Sequence, residues 1–271
     1  MPCDPKSLMA LARCFVGLSH KQLLQVKAWL LCQLAQKKSS PVVPSNPLNN
    51  GLLAYWKMDE DTGTTTADST GNGNTGTFSG TGASWVTGKI NSGLAPDKDT
   101  GYVDFGVIYG VAGLTQASFS VWVNVTLSGV VAVTDYNGGV GGNYYNWDVA
   151  ALSGVCYARL YNGTTNPNLH FPCPASGWHL FTVVYDGTQS VNTNRLLVYI
   201  DGVLATGVTY IGTFPASLPI LSNLSHATIG SSADFTHTNG TYDEFGIWSR
   251  VLTQADVTSL WNGGAGIQLP V

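Results

Sequence analysis

Ala117-Ser-Phe-Ser-Val-Trp-Val-Asn-Val-Thr126 alternates along its whole length. Phe119, Val121, Val123 and Val125 fall on one face, and Ser118, Ser120, Trp122, Asn124 and Thr126 on the other. Successive side chains of an extended chain point to opposite sides, so a period of two marks a half-buried β-strand. One face is expected in a core and the other partly wet. Further strand-like runs occupy 102–108, 130–134, 154–161, 178–186, 196–201 and 242–248, bounded by turn residues. Asp201-Gly202 adds a hairpin signal, because such a turn needs positive φ at both central residues. Many short strands with polar turns indicate an all-β sandwich rather than a parallel sheet.

The first forty residues have a helical period instead. Asp4 can cap a helix with Pro5 at its first position, followed by Leu8, Leu11, Ala12 and Phe15 until Gly17. Ser19 and Gln22 match a capping box for a second helix, with Leu23, Val26, Leu30 and Leu34 on one stripe that Trp29 widens. A hairpin of this size buries too little surface to stand alone. Leu23, Val26, Trp29 and Leu30 are therefore expected to anchor it on its own sandwich, on copies of itself or in a larger assembly. The prolines of residues 39–50 forbid helix and make a stiff spacer. The organisation expected is a hairpin at 1–38, a linker at 39–50 and a sandwich at 51–271. Thr253 and Asp256 imitate a capping box before Val257, Leu260 and Trp261, which gives the sandwich one short C-terminal helix.

Only 10% of the 271 residues are charged, against roughly 25% in an average chain. Residues 1–38 hold six basic residues against Asp4 alone, and the remainder holds six basic and fifteen acidic, a net charge of −9. An acidic body excludes nucleic acid as the expected partner, since phosphate binding needs a basic footprint. No apolar run is long enough for a membrane helix. Asp4 and Pro5 stand where a secretory signal carries basic residues. Work outside a cell is thus expected to follow another route, such as release of virus particles by lysis. The five cysteines are an odd number, which argues against a disulfide framework. Cys156 and Cys173 could still pair across neighbouring strands under oxidising conditions.

Leu53-Ala-Tyr-Trp-Lys-Met-Asp-Glu60, Thr66-Ala-Asp-Ser-Thr-Gly-Asn-Gly-Asn-Thr-Gly76 and Gly240-Thr-Tyr-Asp-Glu-Phe-Gly-Ile-Trp-Ser-Arg250 bracket the strand-like runs. With Trp178-His-Leu-Phe-Thr-Val-Val-Tyr-Asp-Gly187 and Arg195-Leu-Leu-Val-Tyr-Ile-Asp-Gly202, they resemble the laminin-G-like branch of the concanavalin A-like lectin/glucanase superfamily. The resemblance implies a jelly roll whose usual work is binding, often of glycans and often with calcium. It also implies core packing for Trp56 and Trp178. Cys3-Asp-Pro-Lys-Ser-Leu-Met9 and Leu30-Leu-Cys-Gln33 resemble N-terminal modules of bacteriophage virion proteins. That second resemblance implies a head displayed on a virion surface, with the helices meeting other virion proteins and forming a homo-oligomer.

Three chemistries can be placed on these residues. Calcium takes about six to eight oxygens, and Asp68-Ser-Thr-Gly-Asn-Gly-Asn74 offers a carboxylate, amides and glycines that let carbonyls converge. The resemblance implies Asp68, Asn72 and Asp243 as ligands, with Asp59 as a further candidate. The alternative is an Asx turn closed by Asp68 on its own backbone. Glycan contact needs aromatic rings beside amides and carboxylates. Residues 135–148 supply Tyr136, Asn137, Tyr144, Tyr145 and Trp147, with Trp122 and Tyr157 as neighbours on the concave sheet. The alternative there is core or cross-strand packing. Hydrolysis would need closely spaced acids, Glu-x-Asp-x-x-Glu in the laminarinases, and that pattern is missing. The only glutamates, Glu60 and Glu244, each follow an aspartate on terminal strands expected to be neighbours. The reading is a non-catalytic glycan-binding adhesin, with a shell-decorating structural protein as rival and a hydrolase third.

Overall fold

The computed structural model describes residues 46–97, 100–108, 110–125, 134–136, 145–152, 155–162, 165, 167–218, 226–230 and 240–270. The helical hairpin with Leu23, Val26, Trp29 and Leu30 lies outside the described residues, as do Asn137 and Tyr144. Strands β1 (Leu52–Trp56), β2 (Thr65–Thr66), β3 (Gly76–Ser79), β4 (Ala83–Thr87), β5 (Ser92–Pro96) and β6 (Tyr102–Asp104) come first. The middle of the chain forms β7 (Gln116–Val125), β8 (Thr134–Tyr136), β9 (Tyr145–Leu152), β10 (Val155–Asn162), β11 (Asn168–Pro172) and β12 (Gly177–Asp186). Then follow β13 (Leu196–Ile200), β14 (Val203–Leu204), β15 (Thr209–Ile211), β16 (His226–Ile229), β17 (Gly240–Trp248) and helix α1 (Gln254–Trp261).

One large sheet runs β14-β13-β12-β7-β17-β5-β4, with β1 added on β17. Two smaller sheets, β2-β3-β6-β16-β8 and β15-β11-β10-β9, meet where β8 lies beside β9. Together they make the front layer, and the ladders described are antiparallel throughout. Between the layers, Val103, Ala158, Leu169 and Ile229 from the front pack with Phe119, Val121, Phe181 and Ile247 from the large sheet. Trp56 sits at one end of this core, 4.2 Å from Phe105 and 5.0 Å from Phe245 between ring centroids.

The outer face of β7, expected partly wet, is buried instead: Ser118 is 0%, Ser120 1% and Trp122 1% exposed. The cause is α1. Its Val257 and Leu260, with Leu48, Leu252 and Leu269, cover Trp122, Leu180, Val184 and Trp248 in a second apolar cluster behind the large sheet. Trp178 packs half-buried against the same cluster. The sealed hydroxyls have partners, as buried polar groups must. Ser118 Oγ donates to the Arg250 carbonyl at 2.8 Å and accepts from Leu252 N at 3.0 Å, and Ser120 shares a hydrogen bond of 2.9 Å with Thr182. The capping box at Thr253 and Asp256 is present, and Asn262 ends α1 in the left-handed conformation at φ 47°.

Asp201 and Gly202 adopt φ 54° and 81° and turn β13 into β14, as the hairpin signal requires. A Cβ on Gly202 would meet Trp261 at 3.1 Å, so this turn also admits the end of α1. Packing of the head begins at Asn46, inside the stretch read as linker. Leu48 is buried there and its carbonyl accepts from Trp248 Nε1 at 2.6 Å. Cys156 of β10 is disulfide-bonded to Cys173, just past β11, with Cα atoms 4.9 Å apart. The odd cysteine count argues against a framework, but these two are adjacent once β10 and β11 pair. Among the described residues no helix is long and apolar enough to cross a membrane.

Candidate functional site: the outer face of the front layer

The proposed calcium ligands do not converge. Asp68 Oδ1 accepts from Tyr55 N at 3.2 Å, Thr70 N at 3.0 Å and Thr70 Oγ1 at 2.7 Å, and Oδ2 accepts from Asn74 N at 3.2 Å and Asn74 Nδ2 at 2.7 Å. Burial pushes its pKa up, but the bonds from Thr70, Asn74 and Tyr55 outweigh that and hold the carboxyl below its ordinary value. A carboxylate has about four lone-pair positions, and these donors fill them. Asn72 Nδ2 donates to the Leu53 carbonyl at 2.9 Å, tying the same loop to β1. This is the Asx-turn alternative, extended into a staple.

Asp243 and Asp59 belong to a different cluster. Asp243 is fully buried, with Oδ2 accepting from Ile90 N at 2.8 Å and Oδ1 from Glu244 N at 2.9 Å. Burial, with the charge of Glu244, pushes its pKa up to about 9. Glu244 is raised to about 7, by burial and then by the charge of Asp59, against hydrogen bonds from Tyr55 and Gln268. Gln268 Nε2 links the two acids, donating to Asp59 Oδ2 at 2.5 Å and Glu244 Oε1 at 2.9 Å. The Tyr55 hydroxyl donates to Glu244 and accepts from Leu269 N at 3.0 Å. Asp68 holds the backbone of Tyr55 while Glu244 meets the far end of its side chain, so a tyrosine separates the two halves of the expected set. Among the described residues no three His, Cys, Asp or Glu side chains are grouped to hold a metal.

Met58, Asp61, Asn91 and Glu244 all have φ between 51° and 58°. Asp59 binds Asn91 Nδ2 at 3.1 Å and Ser92 N at 3.2 Å, and Asp61 binds the Ser92 hydroxyl. This network pins the C-terminal tail to β1 and β17 and sustains the left-handed residues. Glu60 is not part of it: its Oε1 accepts from Ala67 N at 2.7 Å and Thr66 Oγ1 at 3.3 Å. The two glutamates thus have different partners and do not form an acid pair.

The residues suited to sugar lie on the front layer. In β10, Cys156, Ala158 and Leu160 enter the core, which turns Tyr157 and Arg159 outward; in β11, Leu169 and Phe171 do the same for Asn168 and His170. Tyr157 stands opposite His170 and Arg159 opposite Asn168. The Tyr157 and His170 rings are 6.1 Å apart, and the Arg159 guanidinium lies 4.8 Å over the tyrosine ring. In β6 and β16, Val103 and Ile229 face inward, leaving Tyr102, Asp104 and His226 on the outer side. His226 Nδ1 lies 2.9 and 2.8 Å from the two Asp104 oxygens, and Gly106 N donates to Asp104 Oδ1 at 2.8 Å.

Of the aromatic candidates, Tyr136 lies in β8 opposite His226. Tyr145 and Trp147 lie in β9 opposite Asn162 and Leu160, so both are strand positions rather than loop. The 137–144 segment, outside the described residues, joins adjacent strands of the front layer. Tyr157 is on the outer face of the front layer, in a different sheet from Trp122. Trp122 is sealed behind the large sheet, 5.1 Å from the Trp261 ring, with Lys89 Nζ 4.5 Å from its centroid. Asp104 and His226 escaped the sequence reading because they are 122 residues apart and meet only when β6 pairs with β16.

No curated protein matches the chain. Similar solved structures include the binding domain of botulinum neurotoxin DC in complex with SialylT, at 16% identity and TM-score 0.58, covering 80% of this chain and 52% of that one. The binding domain of Paraclostridial Mosquitocidal Protein 1 is similar at 14% identity and TM-score 0.57, covering 79% and 52%. The chain thus spans about half the length of these toxin binding domains. Domain 4 of AbnA, a GH43 extracellular arabinanase from Geobacillus stearothermophilus, in complex with arabinotriose, aligns at 20% identity and TM-score 0.53, covering 76% of this chain and 96% of that one. At such identities the likeness is one of fold. A laminin-G model of the concanavalin A-like lectin/glucanases superfamily matches residues 97–258, more than half of the sequence, and the chain belongs to that superfamily.

Proposed function

We propose that this protein is a non-catalytic glycan-binding head, and that it binds sugar on the outer face of its front layer. One observation carries the reading: the large sheet's outer face is sealed under α1, whereas the front layer presents Tyr157, Arg159, His170 and the Asp104–His226 pair outward. Rings and hydrogen-bonding groups on a rigid sheet suit the CH faces and hydroxyls of a saccharide. Two fold neighbours in complex with SialylT and with arabinotriose support the choice of ligand class. The finer reading is a head displayed on a virion, with the N-terminal segment making contact with other virion proteins and with copies of itself. Weak single-site affinity would then be multiplied by copy number.

A glycan array probed with the full chain tests the reading. Saturable binding to at least one glycan is expected, reduced in Y157A and unchanged by chelator, because the carboxylate of Asp68 is already filled by protein donors. Binding abolished by chelator would assign calcium to the site. Silence across the array would favour a decorating protein.

A further inference from the structure

We infer that His226, held by Asp104, is a hydroxyl-binding subsite for a neutral saccharide; this rests on the glycan-binding reading and assigns it an atom. Asp104 is fixed first. Its Oδ1 accepts from the backbone of Gly106 at 2.8 Å, and both its oxygens lie within 2.9 Å of His226 Nδ1. The carboxylate on Nδ1 orients the ring, and in the tautomer with the proton on Nδ1 the Nε2 atom presents a lone pair. Among the described residues nothing bonds Nε2. The imidazole is 43% exposed and Asp104 25%, so the acceptor is available while its support is half sheltered. Ala227 and Ile229 provide the packing of β16, which leaves the His226 ring on the outer face.

The charge around it selects the sugar. Asp104 is an anion beside the ring, and the chain beyond residue 38 carries a net −9. An anionic sugar group approaching Nε2 would be repelled, whereas a neutral hydroxyl donates to it. Tyr136, singled out independently by the sequence, stands opposite His226 across the β8–β16 ladder. Asp104 is a positioning residue here, and His226 is the contact.

Histidine-selective 15N labelling of the full chain provides the test, with arabinotriose as the neutral probe and sialyllactose as the anionic one. Arabinotriose is expected to shift the His226 Nε2 resonance, and H226F is expected to bind it about fivefold to tenfold more weakly, the loss of one hydrogen bond. Unmoved His226 signals during saturable binding, or full-strength binding by H226F, would overturn the subsite while leaving the glycan-binding head in place. Preference for sialyllactose would overturn the neutral class. Failure of the unaltered chain to bind either probe would overturn the neutral-saccharide subsite, whereas the glycan-binding head itself stands or falls on the array. The isotope measurement needs no variant, so poor folding of H226F would not blunt it.

Discussion

Asp243 and Glu244 are buried acids, and their environment makes stability depend on pH in an uncommon direction. Each has a folded pKa above its ordinary value, 3.8 to about 9 for Asp243 and 4.5 to about 7 for Glu244. The folded state therefore binds more protons than the unfolded state between those limits, and stability falls as pH rises. The contribution of Glu244 is fully present below about pH 4.5 and is lost on the way to 7, an effect of up to about 3 kcal/mol. Thermal melts from pH 4 to 8 should show this decline, and E244Q should flatten it. An unchanged slope in E244Q would exclude Glu244 as its source. The sequence marked Asp243 and Asp59 as candidate ligands, and the structure places them beside Glu244 and Gln268. Spacing reports which groups are present, whereas the donors that saturate Asp68 and the tyrosine that divides the set are set by packing.

Helix α1 was legible from Thr253 and Asp256, but its role was not. Eight residues with Val257 and Leu260 buried would be marginal in isolation; here they close the back of a sheet. L260A should cost about 2 kcal/mol or more in urea unfolding, as for other large-to-small changes at a buried site. The near-ultraviolet signal of Trp122 should change with it, since Trp261 at the end of α1 stacks on that ring. Front-layer glycan binding should survive in the folded fraction, because none of its residues touches α1. A mutant that lost binding while fully folded would place the sugar at the back instead. The alternation in β7 likewise identified the strand correctly and misjudged its second face. Period-two patterning records the side of each residue, and Ser118 and Ser120 looked like solvent residues because their partners, Arg250, Leu252 and Thr182, lie far along the chain.

For the whole molecule, the proposed plan is an attached N-terminal segment and a binding head. If the stripe containing Trp29 and Leu30 anchors the protein in a particle, W29A/L30A should remove at least about nine-tenths of it from purified particles without changing the head's melting temperature, read by immunoblot and calorimetry. Retention in particles would rule out that stripe as the anchor. By itself the sequence determined the all-β class, the Asp201-Gly202 hairpin and the closing helix, because period, turn chemistry and capping are local properties that a few neighbouring residues impose. Tertiary structure alone decided which sheet face is sealed, which acids share a cluster, and that Asp104 orients His226. Those outcomes depend on pairing segments more than a hundred residues apart, and no local pattern encodes the partner.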